Sequence, residues 1–341
     1  MTHDQFEVLS NQAVAACAVV YFLAFLAHLA QWASGRRVED RQLVAVGSGG
    51  SQTAVATPPE TDDPSAERMH LFGRIGVSLT VVAALVHFVA VVSRGLAADP
   101  ARVPWGNMYE FTLTGCLVVV LGYLFLYERY SLSWLSPVVT GFVLITLMVD
   151  VLLLYTPVVP LRDALQSPWL VIHVVAAIIA TGAFTLGGMC SALFLVKQRW
   201  VERHPDEEST GRGYLARLPS PAVLDRMAYR THAFGFPIWT FAALIAGPIW
   251  AHNAWGRAWG WDPKEVWAFI TWVVYAAYLH ARATSGWKGR SAAIVALVGL
   301  ATLWFNFIGI NFFFGSGSQH SYAAPAVSVS RLVDASTAGR T

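Results

Sequence analysis

Eight apolar runs follow one another along the chain, each bounded by charged residues, proline or glycine, over about 13–33, 71–93, 111–127, 137–156, 169–196, 233–250, 265–283 and 291–314. A helix needs roughly 20 apolar residues to cross the hydrocarbon core of a bilayer. Lipid offers the backbone no partners, so a spanning segment has to satisfy its own peptide groups. With 55% hydrophobic and 13% charged residues, the chain of 341 also lacks the polar surface that a water-soluble protein requires. The expected class is all-α: a polytopic integral membrane protein with about eight transmembrane helices.

Basic residues set the expected orientation, because cytoplasmic loops carry an excess of Lys and Arg. With the N-terminus outside, Arg36, Arg37, Arg41, Arg68 and Arg74 fall in or beside the first inner loop and Arg129 in the second. Lys197, Arg199, Arg203, Arg212, Arg217, Arg226 and Arg230 fall in the third, and Arg282, Lys288 and Arg290 in the fourth, out of 23 basic residues. Both termini are then extracytoplasmic. The net charge of +2 and the scatter of basic residues between runs give no footprint for nucleic acid. No Lys or Arg precedes the first run, so it reads as a retained helix rather than a cleaved signal peptide.

The expected organisation is a first transmembrane helix over 1–34, a flexible cytoplasmic linker over 35–70, a main transmembrane domain over 71–323 and a flexible tail over 324–341. Gly, Ser, Thr, Pro and acids dominate the linker, with few large apolar residues. Cys17, Cys116 and Cys190 each lie inside an apolar run with no C-x-x-C pair, so they are read as small packing residues.

One segment departs from ordinary membrane composition. Six of the fourteen tryptophans, Trp250, Trp255, Trp259, Trp261, Trp267 and Trp272, occur within 23 residues joining the sixth and seventh runs. Interfacial belts also use tryptophan, but a belt is spread over many helix ends. Here the indoles share one loop whose glycines let flat rings build a common surface, which suits a large planar ligand. Asp262-Pro263-Lys264-Glu265 has a structural reading of its own: Asp at the N-cap, Pro at the first helical position and Glu at the third reproduce a capping box. Asp262, Pro263 and Glu265 are thus expected to support the segment rather than touch ligand.

The ten histidines divide by depth. His3 and His204 sit in polar stretches, and His70 and His232 beside the inner ends of helices, where an interfacial position is expected. His28, His87, His173 and His280 lie in or at the ends of runs, where an ionisable side chain is a functional candidate by default. His252 and His320 belong to the outer side. His173 and His320 flank the tryptophan segment in sequence at matching outer depth, and neutral imidazole is the usual axial ligand of haem iron. His280 has two readings, a headgroup contact with Arg282 or a second, inner haem ligand; His28 or His87 could partner it.

The string Trp250-Ala251, Ala254-Trp255-Gly256, Trp259, Trp261-Asp-Pro-Lys-Glu-Val-Trp267 and Trp272, followed by Tyr278-Leu-His280-Ala-Arg282, resembles the tryptophan-rich WWD motif of the CcsA or ResC type of cytochrome c biogenesis proteins. Gly235-Phe236-Pro237, Asn107-Met-Tyr-Glu110, Trp169 to His173 and His320-Ser-Tyr322 are similar to further motifs of that family, over about residues 100 to 323. Where the family often reads W-A-N and H-S-Y-G, this chain has Trp250-Ala251-His252 and His320-Ser-Tyr322-Ala323, which makes His252 a third outer candidate.

The resemblance implies a multi-pass protein of the cell (plasma) membrane with the tryptophan segment on the extracytoplasmic face. It implies b-type haem, held non-covalently as a transported substrate, with Trp250, Trp255, Trp259, Trp261 and Trp267 along one edge and His173 and His320 on the iron. His280 would help take haem through the membrane. A second intramembrane histidine would come from a partner of the Ccs1 or ResB kind, the two chains together forming a cytochrome c synthase of haem lyase type. The acceptor would be the C-x-x-C-H segment of apocytochrome c, with thiol-reducing proteins serving indirectly. No catalytic nucleophile or triad is visible. The same residues would also serve a haem exporter without attachment activity, and a membrane electron-transfer cytochrome of b type is a further alternative.

Overall fold

The computed structural model describes residues 1–47, 64–158, 167–204, 213–284 and 287–314, with side chains placed from residue 67 onward in the second segment and up to residue 34 in the first. Helices dominate it: α1 (His3–Gly47), α2 (Pro64–Leu96), α3 (Met108–Tyr127), α4 (Ser136–Val149), α5 (Pro168–Arg203), the single turn α6 (Tyr214–Arg217), α7 (Pro221–Phe241), α8 (Gly247–Trp255), α9 (Pro263–Ala283), α10 (Arg290–Trp304) and the short α11 (Ile310–Phe313). Helix reaches into both ends of the stretch expected as a linker, to Gly47 and again from Pro64; residues 48–63 and the expected tail at 324–341 lie outside the described residues.

Seven helical stretches are long and apolar enough to cross a membrane among the described residues: His3–Ser34, Glu67–Leu96, Met108–Tyr127, Leu132–Leu154, Pro168–Arg203, Pro221–Trp255 and Arg290–Phe313. The remaining expected span forms α9, whose 21 residues measure about 31 Å at 1.5 Å per residue. Its interior carries Trp267, Trp272, Tyr275 and Tyr278 in place of aliphatic side chains. Large apolar side chains stand on the outside of the bundle, Phe125 at 82% and Leu152 at 76% exposure among them. In lipid that outward face costs nothing. Alanines pack the inner face, with Ala13 of α1 and Ala83, Ala84 and Ala90 of α2 buried in one cluster, which lets the two backbones approach.

Polar groups lock the two ends of the bundle. At one end the fully buried Arg94 guanidinium of α2 meets Glu110 Oε1 at 3.2 Å and Glu7 Oε1 at 3.4 Å, and it also donates to the Thr156 carbonyl. Arg102 reaches Glu110 Oε2 at 2.7 Å. Glu110 in turn accepts from the Gly106 amide, while Asn107 caps α3 by accepting from the Glu110 amide at 2.8 Å. The loop before α3, with Trp105, is thereby clamped to α1 and α2. At the other end, buried Lys197 of α5 donates to the carbonyls of Leu215 and Ala216 and ties down α6, and Arg282 of α9 donates to both carboxylate oxygens of Asp225 on α7 at 2.8 Å.

Among the described residues, regular helix gives way to π-helix at three places, Asp150–Leu154 after α4, Ala242–Ala246 between α7 and α8, and Phe305–Gly309 between α10 and α11. Such wide turns are rare overall and frequent at functional sites. His232 corrects an expectation: α7 begins at Pro221, so the ring lies about three turns inside the helix rather than at an interface. It is fully buried against Phe184, Tyr275 and Tyr278, with Ser191 3.5 Å from Nε2.

Removing one partner of a buried ion pair leaves the other charge uncompensated. Glu110→Ala is expected to lower the unfolding free energy of the detergent-solubilised chain by about 3 to 5 kcal/mol, read by chemical denaturation. A loss under about 1 kcal/mol would put the pair in the class of solvated surface bridges.

Candidate functional site: an indole-walled cavity

A cavity of about 710 Å³ lies among α3, α5, the α7–α8 junction and α10, within the range of about 300 to 1,000 Å³ typical of pockets for compact organic ligands. All three π segments contribute to its wall, through Leu153 and Leu154, Ala242 and Ala243, and Asn306 and Phe307. Irregular backbone at membrane depth is tolerated where it lines a cavity. Room comes from small residues on the facing helices, Gly115 and Cys116 on α3 and Ala177 and Gly182 on α5. Asn107 Nδ2, Thr112 Oγ1, Thr185 Oγ1 and Asn306 Oδ1, all on cavity-lining residues, are buried without a hydrogen-bond partner among the described residues. Such groups are sockets for a polar ligand atom or water.

The tryptophan segment builds one side of the cavity. α8 ends at Gly256, whose φ of 71° is left-handed and whose amide donates to the His252 carbonyl at 2.9 Å, turning the chain back toward the bundle. The chain re-enters helix at Asp262, where a capping box closes: Lys264 N donates to Asp262 Oδ1 at 2.9 Å, and the amides of Asp262 and Gly260 donate to Glu265 Oε2 at 3.0 and 2.8 Å. Pro263 occupies the first helical position.

Between these two fixed points the indoles part company. Trp250, Trp255 and Trp259 line the cavity, with Trp250 buried and Trp255 edge-on to it at 4.8 Å. Trp261 takes a φ of 56° and stands 72% exposed, in edge contact with Trp259 but outside the cavity. Trp267 packs against Phe305 at 4.2 Å, behind the wall.

Only one of the candidate histidines lines the cavity among the described residues. His173 sits in the second turn of α5, which starts at Pro168 with Ser167 as N-cap. Its Nδ1 lies 2.8 Å from the Ala242 carbonyl oxygen in the second π segment, and its ring is nearly parallel to Trp250 at 6.1 Å. A carbonyl accepts only, so Nδ1 carries the proton and Nε2 the lone pair. His252 is exposed on α8 and His280 exposed near the end of α9, where Arg282 pairs with Asp225 instead. His28 contacts Thr80, and His87 has Tyr21 at Nδ1 and the Leu113 carbonyl at Nε2, which makes both helix-to-helix contacts. His320 lies outside the described residues.

Sequence reasoning missed Trp105, Trp239 and Trp304, which bring further indoles to the wall from three other helices or loops. No local pattern marks them: Trp105 lies in the loop before α3, and Trp239 and Trp304 sit among other aromatics of apolar runs. The signal for the second π segment was visible as Pro237 and Pro248 on either side of it, each lacking the amide that a regular helix needs. Charge at the cavity comes from Arg102, Lys264 and Glu265.

A model of the cytochrome C assembly protein family matches residues 105–316, the stretch that holds this cavity. The chain belongs to that family. Within it, the similar relatives are of the CcsA type: the cytochrome c biogenesis protein CcsA of a Synechococcus species is 35% identical over 311 residues, covering 74% of this chain and 84% of the relative. The CcsA protein of Trieres chinensis is 36% identical, covering 73% and 86%, and that of Gloeobacter violaceus 32% identical, covering 75% and 88%. Among solved structures, the cytochrome c heme lyase CcmF shares the fold at a TM-score of 0.56 and 16% identity, over 93% of this chain and 50% of that longer one. This CcsA-type protein is thus a multi-pass membrane protein of cytochrome c assembly, and its family region centres on the indole-walled cavity.

Desolvation in the cavity wall pulls the Lys264 ammonium from its usual 10.5 down to about 8, against the raising effect of the Asp262 carboxylate. The folded state therefore releases this proton at lower pH than the unfolded chain does; the charge costs stability in full below pH 8, and that cost declines between about 8 and 10.5 and is gone above the unfolded value. Amine-directed labelling of the intact protein between about pH 7 and pH 10, read by mass spectrometry, is expected to show Lys264 reacting with a midpoint near 8. A midpoint at the usual lysine value would place the side chain in water rather than in the wall.

Proposed function

We propose that this protein delivers b-type haem across the plasma membrane and holds it in the indole-walled cavity for covalent attachment to apocytochrome c. The observation that carries this reading is the His173 ring. It lines a cavity of suitable size, it is nearly parallel to Trp250, and its Nδ1–H is committed to a backbone carbonyl. Metal-ligating histidines are held in this way, the second ring nitrogen bonded to a carbonyl or carboxylate, leaving the other nitrogen as the donor.

In this reading His173 and His320 ligate the iron, and Trp250, Trp255 and Trp259 supply the flat surface. Trp267 supports the wall from behind through Phe305, and Trp261 marks its outer rim. Asp262, Pro263 and Glu265 hold the segment in shape. The cavity faces the extracytoplasmic side, with both termini on that side too. The lipid-level His280, exposed on α9, meets haem on its way with a histidine supplied by a Ccs1 or ResB-type partner.

Attachment adds each thiol of a C-x-x-C-H segment across a haem vinyl group. One carbon–sulfur bond forms per vinyl, and the thiol hydrogen ends on the neighbouring carbon, with no leaving group and no change in overall oxidation level. Thiol-reducing proteins keep the acceptor cysteines ready. The protein's contribution is proximity and orientation, which is consistent with a site rich in flat apolar surface and poor in acid–base groups.

The visible spectrum of the full-length chain purified with its partner tests this. His173→Ala and His320→Ala are expected to lose the outer haem Soret band, with partial recovery on adding imidazole, whereas His252→Ala keeps it. Unchanged spectra in the first two variants would overturn the ligand assignment. Coexpression with an apocytochrome in a host lacking its own assembly system is expected to yield covalent haem on the reporter. Bound haem without any attachment would favour export alone.

A further inference from the structure

Three consecutive features of residues 242–250 converge on the His173 ring. The π segment Ala242–Ala246 widens the backbone so that the Ala242 carbonyl takes the amide of Gly247, five residues on, rather than that of residue 246. The same oxygen receives Nδ1 of His173 at 2.8 Å, and a carbonyl has two lone pairs for two donors. Gly247 follows at once. A Cβ built on it would lie 3.1 Å from the Ala242 oxygen, 3.1 Å from His173 Nδ1 and 3.2 Å from Cε1, closer than ordinary van der Waals contact. Any side chain there would therefore have to displace the ring or the carbonyl by a few tenths of an ångström. Trp250, one turn further, lies nearly parallel to the ring at an interplanar angle of 16°.

We infer that Gly247 is a positioning residue for the haem-ligating histidine: its bare α-carbon lets the π-segment carbonyl of Ala242 hold Nδ1–H of His173, which puts the lone pair on Nε2 and strengthens that nitrogen as an iron ligand. The inference rests on the reading of His173 as an axial ligand. In the widened turn the Ala242 carbonyl bonds the Gly247 amide with one lone pair and His173 Nδ1–H with the other. A hydrogen bond from Nδ1 to a carbonyl raises the basicity of the coordinating nitrogen, and a more basic ligand stabilises ferric over ferrous iron.

A double-mutant cycle on the full-length, haem-loaded chain tests it, with haem retention and midpoint potential measured for wild type, Gly247→Ala, His173→Ala and the double variant. Gly247→Ala is expected to weaken haem retention about 10-fold to 100-fold and to raise the midpoint potential. In the His173→Ala background, with imidazole supplied, Gly247→Ala is expected to cost nothing further. Wild-type retention and potential in Gly247→Ala, or an equal loss in both backgrounds, would show that Gly247 only fills space. A His173→Ala chain that keeps its haem and its potential sinks the axial reading itself, an outcome separate from these.

Should Gly247→Ala fail to accumulate, nitrogen NMR of the haem-free, histidine-labelled wild type decides the matter. The His173 signal, identified by its loss in His173→Ala, is expected to show the proton on Nδ1. A proton on Nε2 would overturn the inference.

Discussion

A helix in lipid has to satisfy its own backbone, and every departure from regular helix at membrane depth needs a compensating partner or a cavity. Among the described residues the chain departs from the α-helix three times by π-helix within its apolar stretches, and each departure contributes to the wall of the same cavity. The wide turns shift side chains out of the rows that a regular helix would present. Aromatic and small residues from α3, α5 and α10 then leave a space between them instead of interdigitating. The second π segment does more, because its first carbonyl bonds a histidine from another helix.

Holding such a space open inside a bundle demands rigid ends. Arg94 and Glu110, both fully buried, tie α1, α2 and α3 together with the loop that carries Trp105. At the opposite ends, Lys197 anchors α6 and Arg282 joins α9 to α7. Charged groups at these positions are worth their desolvation only because several partners converge on each one. Among the described residues, the polar lining of the cavity combines the unpartnered hydroxyl and amide groups of Asn107, Thr112, Thr185 and Asn306 with the charged Arg102, Lys264 and Glu265.

The tryptophan segment shows how one sequence motif serves several physical ends. Trp250, Trp255 and Trp259 face the cavity, Trp267 lies behind the wall and Trp261 stands in the open. Asp262 and Glu265 spend their side chains on backbone amides at the start of α9. Family membership joins this arrangement to cytochrome c assembly, and in the function proposed above the orientation of His173 is what suits the space to a planar iron-bearing substrate.

What could be read from the chain alone was whatever depends on local pattern. Apolar runs of bilayer length set the number and positions of the helices, because lipid penalises every unsatisfied peptide group regardless of the neighbouring helices. Asp262, Pro263 and Glu265 announced the start of α9, since a capping box is closed within four residues. Neither the depth nor the direction of His232 was legible: counted as interfacial, it is wrapped by Phe184, Tyr275 and Tyr278, whose sequence positions are about 45 residues to either side. Only the tertiary structure decided which indoles share a surface, which histidine meets the cavity and which carbonyl fixes its tautomer. Those contacts join α5 to a π turn 69 residues away, and no periodicity in a sequence records where two distant helices cross.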